Sequence, residues 1–251
     1  MSSTTQSFIR FGLGAVLAGG FALPTQAQLI TNGGFEAGLT GWTRLDQIGS
    51  DGTFFVQIGS ASPVNAFPVM SPPEGIRAAM TDAGAGGSPI LYQDFVIPSG
   101  VQSASLAFDM FRNSGDNFFV PANLDWAATN RTGGQNLNQQ ARVDIMTTTA
   151  DPFSVGSGDI LLNLFQTRPN DPLTAGYTTV PTDITALLLA HQGETLRLRF
   201  AEVDNVSYFN FGVDNVRLSV QAVPEPSSIA LIAGLCSTGC LLYTRRRNRK
   251  R

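Results

Sequence analysis

Three aromatic side chains stand where a sugar could stack on them. Trp126 lies in the middle of Asn113 to Gln140, a stretch that also holds Asn117, Asn123, Asn130, Asn136 and Asn138. An aromatic ring offers a flat apolar face to a pyranose, and carboxamides both donate to and accept from its hydroxyls. Tyr92 and Tyr177 are the other two candidates for carbohydrate binding. Bond-breaking chemistry is poorly provided for. His191 is the only histidine, and it falls in the last turn of a short predicted helix with no partner in sequence. There is no His/Cys cluster at metal-ligand spacing and no Gly-x-Ser-x-Gly elbow. Paired carboxylates could hydrolyse glycosides, but nothing in the spacing of the acids selects a pair. The chain reads as a binding or structural protein and not as an enzyme.

Charge divides the chain sharply. Residues 28–222 carry nine arginines, no lysine and 18 acids, a net charge of −9, whereas six of the last seven residues are basic. An acidic, lysine-free surface argues against nucleic acid and anionic lipid as partners. It suits polysaccharide, calcium or plain solubility.

The two ends read as targeting segments. Arg10 precedes an apolar run from Phe11 to Leu23, and small residues follow at Thr25 and Ala27. This is the pattern of a secretory signal peptide, residues 1–27, cleaved after Ala27. At the other end, Val223-Pro224-Glu225-Pro226-Ser227 leads into an apolar run and then Arg245-Arg246-Arg247-Asn248-Arg249-Lys250-Arg251. Basic residues beside an apolar segment stay cytoplasmic, so the body of the chain is expected outside. As a helix, Ser228 to Tyr243 would span roughly 24 Å, short of the ~30 Å hydrocarbon core. Such a span stops transfer but anchors weakly. The two prolines hold Glu225 in extended, non-helical chain, open to an enzyme cleft. Both cysteines, Cys236 and Cys240, lie in this tail, so the exported part must be held by its core without disulfides.

The motif Pro224-Glu225-Pro226, the short apolar run and the Arg245, Arg246, Arg247 cluster resemble the PEP-CTERM sorting signal, here over residues 223–251. The resemblance implies a membrane-embedded exosortase as partner and a transient stay in the inner membrane with the C-terminus cytoplasmic. Delivery to the cell surface or extracellular matrix and an association with exopolysaccharide follow from the same resemblance.

Residues 28–222 read as one all-β domain, an antiparallel β-sandwich or jelly roll flanked by the N-terminal signal helix and the C-terminal membrane helix. Leu106, Phe108 and Met110 alternate on one face, as do Val143 and Ile145. Leu196, Leu198 and Phe200 point inward with Arg197 and Arg199 outward. That period of two marks half-buried strands. One short helix is expected after Thr182-Asp183, over Ile184, Leu187 and Leu188, ending at Gly193. Val213 and Val216 are three apart, so the inward phase shifts between them and predicts a bulge near Asp214-Asn215.

Asn32-Gly33-Gly34-Phe35-Glu36 with Trp42 at the start, and Val213-Asp214-Asn215-Val216 at the end, resemble the galactose-binding-like jelly roll of carbohydrate-binding modules. In that fold family the first and last strands are neighbours, which would bring Glu36 and Asp214 together. Two carboxylates with loop carbonyls suit one structural calcium ion. The functional classes left open are a carbohydrate-binding surface domain and a structural matrix protein without a sugar site, with a glycoside-acting enzyme third.

The tail generates the first prediction. Intact-mass analysis of the surface form is expected to show loss of the residues beyond about Ser227, because a span that short does not hold firmly. A surface form that still ends in Arg251 overturns it.

Overall fold

The structure, a computed structural model, describes residues 25–223. The signal segment before Thr25 lies outside the described residues. So does the tail with Pro224, Glu225, Pro226, Arg245, Arg246 and Arg247. Among the described residues no helix is long and apolar enough to cross a membrane.

Eleven strands and one helix follow in order: β1 Thr25–Gln28, β2 Thr43–Asp46, β3 Thr53–Ile58, β4 Arg77–Asp82, β5 Pro89–Val96, β6 Val101–Ser114, β7 Gln139–Thr147, β8 Ile160–Gln166, β9 Thr174–Asp183, α1 Thr185–Ala190, β10 Thr195–Asp204 and β11 Phe209–Ala222. They form two sheets packed face to face. The first runs β3-β4-β11-β6-β9 with β1 added on β11; the second runs β2-β5-β10-β7-β8. All the strand pairings are antiparallel. The fold is the expected antiparallel β-sandwich.

The inward faces follow the alternation. Leu106, Phe108 and Met110 on β6, Val143 and Ile145 on β7, and Leu196, Leu198 and Phe200 on β10 all bury in one core. Phenylalanines knit that core: Phe108 stands edge-on to Phe200 at 5.4 Å, Phe118 lies 5.4 Å from Phe209, and Phe54 lies 6.4 Å from Phe211. Each such ring, fully buried, contributes about 1.5–3 kcal/mol relative to an exposed one. This is how a domain without cysteines holds together.

The outward faces differ from expectation. Arg197 and Arg199 do leave the core, but they are only 7% and 0% exposed. Alternation reports which side of a strand is apolar, and loops cover the polar side of the second sheet. The helix is shorter than expected, six residues, and Asp183 Oδ1 accepts the Thr185 N–H at 2.8 Å at its start.

The first and last strands meet, as expected. β1 pairs with Ser219–Ala222 of β11, and the Leu29 N–H donates to the Leu218 carbonyl at 2.9 Å. The bulge falls where the valine spacing put it: register breaks between Asp214 and Arg217, with Asn215 at φ 53°. In the Asn32–Glu36 turn the left-handed residues are Asn32 (φ 51°) and Phe35 (φ 53°). Gly33 is needed for space instead, since a Cβ there would meet the Val216 carbonyl. Phe35 and Trp42, 5.3 Å apart, bury beside that joint.

Two acids lie on the inward side of β10 beyond Phe200. Glu202 is 2% exposed and Asp204 3%, and Glu202 Oε1 has no hydrogen-bond partner. Burial, and then the charge of Asp204, pushes the Glu202 carboxyl well above its ordinary value. Burial, with Asp51 and Asp82 nearby, pushes Asp204 up to about 7. Both hold protons in the folded state at pH values where the unfolded chain has lost them. Stability is therefore present at acid pH and is lost as pH rises through the folded values. Melting temperature is expected to fall between about pH 5 and pH 8, with Glu202→Gln removing part of the fall. A melting temperature that is flat or rises across that window overturns the reading.

Candidate functional site

The outer face of the second sheet carries a polar row through all five strands. Strand register sets Thr43 (β2) beside Tyr92 (β5), Tyr92 beside Arg199 (β10), Arg199 beside Asp144 (β7) and Asp144 beside Asn163 (β8). Arg199 Nη2 donates to Asp144 Oδ2 at 2.5 Å, and Arg142 grips the same carboxylate through two bonds of 2.7 and 2.8 Å. Asn163 Nδ2 adds a fourth at 2.8 Å. Burial alone would raise the Asp144 carboxyl; the two guanidinium groups overcome it and hold it below its ordinary value. In the next row Arg197 binds Asp94 through bonds of 2.7 and 2.9 Å, and its guanidinium stacks 3.9 Å from the centre of the Tyr92 ring. Arg199 Nη1 reaches outward to the carbonyls of Pro152 and Ser154, which straps the loop between β7 and β8 over the row.

Tyr92 and Trp126 meet on this face. Together with Phe153 and Val155 they pack around Ile90, Leu124, Ala201 and Val203. Trp126 is fixed through its backbone: its N–H donates to Gln47 Oε1 and Ser88 Oγ, and its carbonyl accepts from Asn205 Nδ2 at 2.7 Å. The Trp126 indole N–H is buried without an acceptor, and so is the Nε–H of Arg199. Tyr177 is not part of this group. It lies on the first sheet, its hydroxyl donating to Gln57 Oε1 at 2.7 Å and its ring 5.5 Å from Phe111.

Much of the asparagine content around Trp126 builds the loop itself. Asn130 Oδ1 accepts the N–H groups of Thr132 and Gly134, and Asn138 Nδ2 donates to Asn123 and to the Asp125 carbonyl.

Glu36 and Asp214 converge on one segment, Glu74–Arg77, from two directions. Glu36 Oε1 accepts the N–H groups of Ile76 and Arg77, and these bonds, with the Arg77 charge, hold its carboxyl below its ordinary value. Asp214 accepts the N–H groups of Glu74 at 3.0 Å and Asn215 at 2.7 Å. It is fully buried. Burial, with Glu74 and Asp109 as neighbouring acids, pushes it up to about 7. Glu36 thus has Arg77 as its cation, and among the described residues no basic side chain bonds to Asp214. Among the described residues no group of three or more His, Cys, Asp or Glu side chains is arranged to hold a metal ion. A sequence reading misses Glu74, because it sits in a proline-rich loop far from both motifs. The Arg199–Asp144–Arg142 row has a signal in opposite charges at alternate positions of two strands, Arg197/Arg199 and Arg142/Asp144.

No family model matches the chain, and no curated protein matches it. Among solved structures it is similar to TmCBM61 in complex with β-1,4-galactotriose (12% identity over 76% of this chain and 97% of that one, TM-score 0.43). It is similar to the K3 cleaved adhesin domain of Lys-gingipain from Porphyromonas gingivalis W83 (10%, 76% and 98%, TM-score 0.45). A cyclase from Fischerella sp. stands equally near (14%, 80% and 98%, TM-score 0.45). A binding module, an adhesin domain and a cyclase lie at the same distance, and at these scores none of them argues for a ligand or a reaction.

Proposed function

We propose that the protein is a non-catalytic surface domain that binds carbohydrate on the outer face of its second sheet. We further propose that it is exported by its N-terminal signal and sorted by its C-terminal one, with an exosortase-type enzyme as partner. The jelly-roll kinship and the extracellular location belong to the same proposal. The observation that carries the binding reading is the set of reachable groups on one face, half-buried Tyr92 with exposed Asp94 and Asn163. An aromatic ring gives a pyranose an apolar face, and a carboxylate and a carboxamide beside it can bond its hydroxyls. Catalysis is left out because the acids of this face, Asp94 and Asp144, are locked to arginines. Burial pushes Glu202, Asp204 and Asp214 up, and all three are buried. The alternative, a matrix domain without a sugar site, is favoured by one contact: Arg197 already occupies a face of Tyr92. The sorting reading is supported by the order of Pro224-Glu225-Pro226, the apolar run and the basic cluster, a sequence that follows the last described strand, β11.

A calcium ion is proposed at Asp214, with Glu36 as the second carboxylate expected from sequence and Glu74 as the acid beside it. Oxygen-only donors suit calcium, and a cation there would keep Asp214 ionised. Binding to the native state stabilises by about 2.7 kcal/mol at a hundredfold excess over Kd. A chelator is therefore expected to lower the melting temperature by several degrees, and Asp214→Asn to abolish that sensitivity; a melting curve indifferent to chelator refutes the ion.

Titration of the purified protein against a polysaccharide panel tests the main reading. Tyr92→Ala is expected to weaken binding of the best ligand at least tenfold with little change in the melting temperature. Binding untouched by Tyr92→Ala removes the sheet face as the site, and no binding across the panel favours the matrix alternative.

A further inference from the structure

A second surface has the chemistry of a ligand site and shares no lining residue with the sheet face. A hollow of about 610 Å³, within the range of small-molecule pockets, opens between the loop joining β6 to β7 and the turn joining β8 to β9. Its floor is apolar: Phe119 is half-buried and Leu137 is 46% exposed, with Pro169 alongside. Its polar groups are carboxamides. Asn117 and Asn136 come from the β6–β7 loop and Asn170 from the β8–β9 turn, and their side chains make no hydrogen bond to the described residues, unlike Asn130 and Asn138 in the same loop. Among the described residues no charged side chain lines it.

Its walls are held independently of those side chains. Phe119 and Gln139 exchange two backbone hydrogen bonds of 3.1 and 2.9 Å. The Asn136 N–H donates to the Ala128 carbonyl at 2.8 Å. The shape therefore exists before any ligand arrives, which lowers the ordering cost of binding.

We infer that this hollow is a second carbohydrate site, one that takes a neutral oligosaccharide. The inference shares the ligand class proposed above but not the place. Carboxamides donate and accept, as vicinal hydroxyls do, and the exposed part of Phe119 offers an apolar seat for the C–H face of a ring. An uronate would find no guanidinium or ammonium in the lining and would enter a domain whose net charge is −9. A peptide would be drawn to an open strand edge, and the hollow presents side-chain amides instead.

The test is titration of the intact protein with neutral and uronate-containing oligosaccharides of equal length, at low and high salt. Neutral ligands are expected to bind with an affinity that salt leaves within a factor of two, and uronates at least tenfold more weakly. Asn117→Ala with Asn136→Ala should remove one of two binding events for the neutral ligand, with an unchanged melting temperature, and Tyr92→Ala should remove only the other. Uronates binding as tightly, or an affinity that falls with salt, overturns the neutral class. Binding lost in Tyr92→Ala but kept in the asparagine variant overturns the hollow and leaves the sheet-face reading standing. Binding of a peptide panel in place of any glycan overturns both.

Discussion

The second sheet depends on one buried ion pair, Arg199 with Asp144. Both side chains are fully buried, yet they lie on the outer face of the sheet and not in its core. A buried pair of this kind is weak evidence for net stability, because desolvation offsets the attraction. Its consequence is specificity. Register places Arg199 opposite Asp144; a slip of two residues would put it opposite Arg142 or Met146, and a slip of one would turn every side chain over. Either error strands a buried charge, at a cost of about 3–5 kcal/mol. The pair also decides what covers the face, since the donors left on Arg199 pull the carbonyls of Pro152 and Ser154 onto it.

The two sides of β10 solve opposite electrostatic problems. Its outer side gathers Arg197 and Arg199, each matched to a carboxylate on a neighbouring strand. Its inner side holds Glu202 and Asp204, whose causes of perturbation include other acids and no base. Charges can be buried only in pairs or not as charges at all. The arginines take the first course and the interior acids the second, by staying protonated. β10 thus pairs Arg199 with a carboxylate, Asp144, held below its ordinary value, and carries two acids that burial holds above theirs.

This division explains how far the sequence could be read. The apolar period of β6, β7 and β10 was legible because burying one face requires it, and the bulge at Asp214 was legible because Val213 and Val216 cannot both point inward on an unbroken strand. Burial of the outer face was not legible. It depends on two long loops folding back, and alternation carries no information about loops. Of the aromatic candidates, Tyr92 is placed by β5 and Trp126 by a loop folded over the same cluster, and Tyr177 parts from them because β9 belongs to the other sheet. Asp214 was legible as an acid at a bulge, but its neighbour Glu74 was not, since the Pro72-Pro73-Glu74 segment reads only as loop.

The first and last described segments are brought to one edge by the fold, and the joint there is built with redundancy. β1 pairs Thr25, Gln26 and Ala27 with Ala222, Gln221 and Val220. Cleavage after Ala27, the point expected from sequence, would therefore remove three of the four residues of that strand. β11 does not rely on them. It is paired with β6 along its length. On its other side the Leu29 N–H to the Leu218 carbonyl and the Val216 N–H to the Gly33 carbonyl both lie downstream of the cut. The close approach of Gly33 to Val216, and the Phe35–Trp42 pair beside it, then fasten the first segment to the last. The closure that matters sits at the glycine turn and the bulge, downstream of Ala27, so loss of those first residues would leave the sandwich closed.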